Sequence, residues 1–316
     1  MQIDLQGVHK TYDGRRWVVR DLSFSVRPGR VLGLIGPNGA GKSTTLRMLA
    51  TQMAPSRGAI RYDGAEPRPD TLPSIRRRIG FLGDGHALYR DMTPREYLAF
   101  FARCLGLAPA RRRAAVDEVL AMFSLTEKAD TPAGALSKGM RQRLALARCF
   151  LHEPEALLVD EPADGLDPRG RMELRRILRA AADGGAAVVI ASHILRELDG
   201  LCDDAVILRD GRAQWCTLEG PREGTASRAL HFELRTTAGA SPRTITAVAA
   251  RHGALIEGAR ATRDGHRFDL LWRRSETDLA AFVADLVHAG AGVCGLERTC
   301  TDIEALYDVV SDDRVS

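Results

Sequence analysis

An apolar run, a glycine-rich segment and a helix-forming segment follow one another without interruption over residues 31–49. The run 31–35 has the composition of a short buried strand, and residues 44–49 have that of a helix. Between them the pattern G-x-x-x-x-G-K-[ST] is complete, and its members are Gly36, Pro37, Asn38, Gly39, Ala40, Gly41, Lys42 and Ser43. A strand, loop and helix in this order are the context in which the pattern binds phosphate groups. The chain is therefore predicted to contain a nucleotide-binding α/β domain.

The residue types of this loop explain which ligand it fits. Glycines let the backbone wrap around a triphosphate so that successive amides point inward. The following helix directs its positive end at the phosphates. Lys42 supplies a charge near the β- and γ-phosphates, and Ser43 offers a hydroxyl to Mg²⁺. We expect ATP and Mg²⁺ as cofactors, with Thr44 also among the residues that bind ATP.

The bulk properties are those of a globular protein with one large domain or two ordinary ones. The chain has 316 residues, 45% of them hydrophobic, and a mean hydropathy of −0.17. Its longest apolar runs are far shorter than the roughly 20 residues of a membrane-spanning helix. The first residues show no charged segment followed by an apolar core, so we expect no signal peptide. Six scattered cysteines without a C-x-x-C pair predict reduced thiols in a cytosolic protein.

The charge balance does not favour a nucleic-acid partner. The net charge is +4, and aromatic residues make up only 5% of the chain. Neither value indicates a dedicated nucleic-acid surface. Arginine outnumbers lysine by 41 to 4, which makes Lys42 and Lys138 informative because both lie in motifs.

The order of predicted elements divides the chain into two domains. Strands alternate with helices over residues 1–220, which predicts a mostly parallel sheet, and residues 86–150 are predicted to be helical. Glycine, proline, threonine and serine over 217–228 indicate a linker. Residues 221–316 are predicted to fold as strand, helix, two strands, helix and strand, followed by a short helix near 301–310. This order suggests a small ferredoxin-like α+β domain.

A second chemical feature follows another buried strand. The apolar residues 156–159 precede Asp160, which would then lie beside the phosphate loop and hold Mg²⁺. Glu161 comes one residue later, where the strand turns into a loop. It can polarise the water that attacks the γ-phosphate. We therefore expect Glu161 to be the catalytic base.

Residues 136–143, LSKGMRQR, resemble the signature motif of the ABC ATPases, whose common form is LSGGQ. Further motifs follow the family's order: Asp164 to Asp167 resemble the D-loop, with Asp167 as its functional aspartate, and His193 resembles the switch histidine. Tyr12 matches the aromatic residue that stacks on adenine. The resemblance implies the ABC fold: a P-loop NTPase cassette with an antiparallel β subdomain and a helical subdomain.

The resemblance also implies how such a chain works. The signature residues Ser137, Lys138, Gly139 and Met140 would bind the γ-phosphate held by another subunit. Two head-to-tail domains, as a homodimer or a heterodimer with another ABC ATPase, would then enclose two ATP molecules. A side chain of Lys138 that points into solvent is the favoured expectation, although it could add charge at that phosphate.

Transport follows from the same resemblance. A separate permease subunit with several membrane spans would dock on residues 86–150, and the ATPase would lie on the cytoplasmic face of the cell membrane. The second domain is similar to the appendage of bacterial ATPases that export drugs, lipids or sodium, so an exporter is expected. The alternatives are a soluble ABC ATPase acting on ribosomes or nucleic acid and a regulatory binder that does not hydrolyse ATP.

Asp84 is a departure from the family pattern. The family usually has glutamine, sometimes glutamate, after the strand that corresponds to residues 79–82, and that residue contacts Mg²⁺. Aspartate also offers oxygen ligands, but it is shorter than glutamine and carries a negative charge. We expect Asp84 to be a catalytic residue and a metal ligand. The alternative is that Asp84 only caps a turn.

Overall fold

The computed structural model describes residues 1–85, 88–217, 230–237, 241–262, 265–272 and 276–300. The chain divides into two compact units, Met1–Thr217 and Leu218–Ser316. The predicted linker beyond residue 217, the predicted helix near 301–310 and the first two residues of the predicted helical stretch lie outside the described residues.

The first unit alternates strands and helices after an initial pair of strands. Its strands are β1 (Ile3–Thr11), β2 (Trp17–Val26), β3 (Val31–Ile35), β4 (Arg57–Tyr62), β5 (Ile79–Leu82), β6 (Ala156–Asp160), β7 (Ala187–Ser192), β8 (Asp204–Arg209) and β9 (Arg212–Thr217). Its helices are α1 (Lys42–Leu49), α2 (Leu72–Arg76), α3 (Pro94–Cys104), α4 (Pro109–Met122), α5 (Lys138–Phe150), α6 (Pro168–Asp183) and α7 (Leu195–Leu198).

A six-stranded sheet forms the centre of this unit, in the order β5-β6-β7-β3-β8-β9. All neighbouring pairs are parallel except β8 and β9. Every residue of β3, β6 and β7 is buried, as expected for parallel strands that are covered on both faces. The predicted parallel sheet is therefore present.

An antiparallel sheet and a group of helices complete the unit. The order in the antiparallel sheet is β2-β1-β4. Helices α3 and α4 pack against each other and both contact α5. Thr93 starts α3 with a capping box, since its side chain accepts from the Glu96 amide and Glu96 accepts from the Thr93 amide. No helix in the described ranges is both long and apolar enough to cross a membrane.

The second unit has the predicted order of elements. They are β10 (Leu230–Thr237), α8 (Pro242–Arg251), β11 (Leu255–Thr262), β12 (Gly265–Trp272), α9 (Glu276–His288) and β13 (Val293–Cys300). The strands form one antiparallel sheet in the order β11-β12-β10-β13. Trp272, Phe268 and Phe282 are fully buried in a core of its own. Its assignment as a ferredoxin-like domain stays a prediction.

Candidate functional site

Three strand ends bring the predicted functional segments together. Strand β7 lies between β3 and β6, with Ile35 opposite Ser192 and Asp160 opposite Ala191. All three strands run in the same direction, so their carboxyl ends meet at one edge of the sheet. Ligands of open α/β sheets bind beyond this edge. The glycine-rich loop, Glu161 and His193 all start there.

The glycine-rich loop has a backbone shape that only glycine allows at two points. Gly41 has φ of +104°, and a Cβ atom on Gly36 would lie 2.3 Å from the Leu208 carbonyl oxygen. Lys42 is only 6% exposed. Its Nζ donates to the carbonyl oxygens of Gly36 at 2.7 Å and Pro37 at 3.3 Å. The loop thus closes around a buried ammonium group, which suits an anionic ligand.

A cavity of about 180 Å³ opens in front of this loop. It is lined by Val18, Asn38, Gly39, Gly41, Lys42, Ser43, Thr44, Asp84, Asp160 and Glu161. Most of the residues that the sequence predicts for phosphate and metal binding therefore face one space. Ala40 is buried behind the lining, and its amide donates to the Pro37 carbonyl at 3.2 Å.

Glu161 is held in an unusual conformation at the end of β6. Its φ is +44°, a left-handed value that costs free energy in a residue other than glycine. Its amide donates to the Ala191 carbonyl at 2.9 Å, which fixes the backbone against β7. His193 Nδ1 donates to Glu161 Oε1 at 2.8 Å, and Lys42 Nζ lies 3.7 Å from the same oxygen. The carboxylate is thus oriented by a histidine and directed toward the loop lysine.

Asp160 has the features of a cation ligand. Its side chain is 5% exposed, and its Oδ1 atom has no hydrogen-bond partner in the described part of the chain. Burial raises the pKa of Asp160, a hydrogen bond with Ser43 lowers it, and the nearby charges of Glu161 and Asp84 raise it again. A buried carboxylate oxygen without a partner is costly unless a cation binds it. The residues therefore fit a Mg²⁺ ion between Asp160 and Ser43.

Asp84 lies in the turn after β5 and lines the same cavity. Its carboxylate is close enough to raise the pKa of Asp160 by electrostatic repulsion. Its side chain is exposed. Both the metal-ligand role of Asp84 and the turn-cap alternative stay predictions.

Tyr12 follows β1 and projects beside the start of α1. Its hydroxyl lies 3.2 Å from Thr44 Oγ1, and 59% of the residue is exposed. Thr44 also lines the cavity next to the glycine-rich loop. An aromatic ring is thus available beside the phosphate-binding residues, where a base could stack.

The signature residues lie away from this cavity. In the described structure, none of them contributes to its lining. Ser137 is exposed and starts α5, where its hydroxyl accepts from the Met140 amide at 3.2 Å, and Gly139 follows in the first turn. The Lys138 side chain is exposed to solvent, as expected, and its Nζ also donates to both carboxylate oxygens of the exposed Asp164, at 2.9 and 3.2 Å.

The D-loop aspartate has a structural task in the isolated chain. Asp167 is the N-cap of α6, and its Oδ1 accepts from the Gly170 amide at 2.9 Å.

The sequence did not predict that Val18 lines the cavity or that Asp164 pairs with Lys138. The position of Val18 depends on the pairing of β1 and β2, and no local pattern marks it. Asp164 lies within a quoted motif, but its spacing does not indicate which side chain it meets.

Comparison with known proteins identifies the family. The family model described as "ABC transporter" matches residues 19–164. A Nod factor export ATP-binding protein I of Burkholderia thailandensis is 42% identical over 210 residues, which cover 66% of this chain and 68% of that protein. This chain belongs to the ABC transporter family. It is an ATP-binding subunit and an ATP hydrolase of that family.

Solved structures agree with this assignment. An ATP-binding subunit of an ABC transporter has 32% identity and a TM-score of 0.63, and the match covers 69% of this chain and 91% of that one. A dimeric ATP-binding cassette in a post-hydrolysis state, bound to ADP and Pi, has 25% identity and a TM-score of 0.63, with 69% and 100% covered. The fold prediction of an ABC cassette is confirmed.

Proposed function

We propose that this chain energises an exporter by forming an ATP-driven dimer that acts on a separate membrane subunit. The observation that carries the proposal is the separation of two phosphate-binding elements. The loop with Lys42, Asp160 and Glu161 lines one cavity, whereas the signature end of α5 lies outside it. A second ATP-binding domain is needed to bring a signature helix to each loop.

Hydrolysis uses groups that are already oriented in the isolated chain. The amides of the glycine-rich loop and the Lys42 ammonium bind the phosphates of ATP. Glu161 accepts a hydrogen bond from a water molecule and directs it at the γ-phosphate. The hydrogen bond from His193 holds the Glu161 carboxylate in place for this step.

Mg²⁺ would be held by Ser43 and Asp160, with Asp84 as a further oxygen ligand. Bound there, the ion neutralises charge that develops on the phosphates. It also gives the buried Oδ1 of Asp160 the partner that it lacks in the described chain. The carboxylates of Asp84, Asp160 and Glu161 tolerate each other best when that ion is present.

The second subunit contributes the start of α5. Ser137 and Gly139 offer amides and the positive end of a 13-residue helix to the γ-phosphate of the partner's ATP, and Met140 lies in the same first turn. Lys138 forms an exposed ion pair with Asp164, and such a surface pair is weak enough to give way to a phosphate group. A homodimer satisfies this arrangement, and so does a heterodimer with another ABC ATPase.

The membrane partner and the direction of transport rest on relatives. Relatives from Burkholderia and Bradyrhizobium are named Nod factor export ATP-binding protein I. We propose that residues 86–150 dock a permease with several membrane spans, so that the ATPase is peripheral on the cytoplasmic face of the membrane. Residues 1–220 form the ATPase domain, and residues 221–316 form an accessory domain. No nucleic-acid partner is expected.

A mixing experiment tests whether two chains share one site. Lys42→Ala removes the phosphate-binding lysine of one chain. In the other chain, Ser137→Arg places a bulky cation at the start of α5, where it blocks the approach to the γ-phosphate. Each variant alone should lose steady-state hydrolysis. An equimolar mixture should regain part of it, because half of the dimers hold one intact composite site. A mixture as inactive as its components, or normal hydrolysis by Ser137→Arg alone, would contradict the shared site.

A further inference from the structure

Lys10 lies against the ring of Tyr12 at the end of β1. Lys10 belongs to β1, and Tyr12 is the first residue after it. Lys10 Nζ lies 5.7 Å from the centroid of the Tyr12 ring. It also donates to the Ala54 carbonyl oxygen at 2.8 Å, which anchors the ammonium group. The ring therefore has a fixed cation on one face.

The remaining contacts of Tyr12 hold the tip of the ring and leave much of it open. The hydroxyl lies 3.2 Å from Thr44 Oγ1 and 3.7 Å from Met53 Sδ. The residue as a whole is 59% exposed. A flat ligand could therefore stack on the ring on the side away from Lys10.

The backbone of the turn that carries Tyr12 is held by other groups. Asp13 Oδ1 accepts from the amides of Arg15 and Arg16, each at 2.8 Å, and from the Thr11 hydroxyl at 3.1 Å. These bonds do not involve Lys10. The turn therefore keeps these hydrogen bonds when the charge of Lys10 is removed.

We propose that Lys10 is a positioning residue for nucleotide binding, which holds the Tyr12 ring where an adenine base stacks on it. The inference rests on the proposed adenine contact of Tyr12. A cation over an aromatic face is attracted by the ring quadrupole. A ring that is already oriented loses less side-chain freedom when the base binds, so the affinity for ATP rises. Phosphate binding by the loop does not depend on this contact.

The test measures binding by calorimetry in EDTA, which prevents turnover. Lys10→Met keeps most of the side-chain stem and removes the charge, and it should raise the Kd for ATP by about two- to five-fold. Lys10→Arg should restore most of the affinity. Lys128→Met, an exposed lysine in the described structure, controls for the loss of one positive charge.

Two further measurements distinguish a positioning role of Lys10 from a general effect on the loop or the fold. Inorganic tripolyphosphate has no base, so its Kd should be the same in the parent and in Lys10→Met. In a Tyr12→Leu background, which itself should weaken ATP binding, Lys10→Met should have no further effect. Equal weakening of ATP and tripolyphosphate binding would overturn the proposal, because Lys10 would then act on the loop or the fold.

The failure of the inference can be distinguished from failure of its premise. If Tyr12→Leu weakens the binding of ATP but not of tripolyphosphate, and Lys10→Met weakens neither, the adenine contact stands and the role of Lys10 is refuted. If Tyr12→Leu leaves the Kd for ATP unchanged, the adenine contact itself is wrong and the role of Lys10 falls with it.

Discussion

Replacing Asp160 by asparagine should stabilise the empty protein and at the same time weaken its response to Mg·ATP. Asp160 is 5% exposed and its Oδ1 has no hydrogen-bond partner among the described residues. Burial raises the pKa of this carboxyl. A carboxyl group whose pKa is higher in the folded than in the unfolded protein stabilises the fold fully at pH values below its unfolded pKa. This stabilisation is lost as the pH rises through the folded pKa. At pH 7 the parent therefore bears an ionisation cost that asparagine avoids.

The size of the effect follows from the unpaired oxygen. A buried polar group without a partner costs about 1–3 kcal/mol. Because the asparagine amide stays buried in the same place, we expect the lower end, a gain of about 1 kcal/mol at pH 7. For a domain of 150–250 residues this is a rise in Tm of about 2–4 °C. The first unit, Met1–Thr217, falls in that size range.

Thermal unfolding with and without Mg·ATP measures both parts of the prediction. A ligand at 100 times its Kd stabilises a protein by about 2.7 kcal/mol. The parent should gain this increment, whereas Asp160→Asn should gain clearly less because its Kd for Mg·ATP is higher. The difference in Tm between variant and parent should also shrink as the pH falls through the raised pKa of the parent's carboxyl.

Asp204→Asn is the matched control for this experiment. Asp204 is also buried, at 2% exposure, but Arg30 Nε and Nη2 donate to its two oxygens at 2.6 and 2.9 Å. It lies at the start of β8, at the opposite edge of the sheet from the site. Its replacement should lower Tm and leave the Mg·ATP increment unchanged. If Asp160→Asn behaves in the same way, the reasoning about Asp160 is refuted.

Two further predictions concern the metal role of Asp84 and the independence of the ATPase domain. Asp84→Ala should slow turnover and raise the Mg²⁺ concentration needed for half-maximal hydrolysis, while the Kd for ATP in EDTA stays the same. A Mg²⁺ titration of hydrolysis that superimposes on the parent's would rule out a metal role for Asp84. A chain that ends at Thr217 should still bind ATP with Mg²⁺, because every proposed ligand precedes that residue. Circular dichroism would show whether this truncated chain is folded, and calorimetry would measure its nucleotide binding. A folded truncated chain that does not bind nucleotide would contradict the two-domain proposal.

The parallel sheet and the cavity could be predicted because they depend on local patterns. A fully apolar strand followed by glycines and Lys42, and another followed by Asp160 and Glu161, determine which side chains reach the sheet edge. The pairing of β7 with both β3 and β6 then places them together. The order of elements in the second unit was also readable, because its helices and strands have clear apolar faces.

Contacts between exposed side chains could not be predicted in this way. Lys138 meets Asp164 only because the start of α5 packs beside the D-loop, and the two residues are 26 positions apart in sequence. The left-handed φ of Glu161 is likewise imposed by the bond of its amide to β7, since no local preference of glutamate favours it. Tertiary packing, and not residue type, decides both features.

We propose that Glu161 drives hydrolysis in a dimer that ATP assembles. Glu161→Gln keeps the size of the side chain and its contact with His193 but removes the charge that polarises water. Light scattering of this variant with Mg·ATP should show a stable dimer, while its turnover should fall by at least about 100-fold, as expected for loss of a general base. A variant that hydrolyses ATP at the parent rate, or one that binds ATP and remains a monomer, would contradict the account.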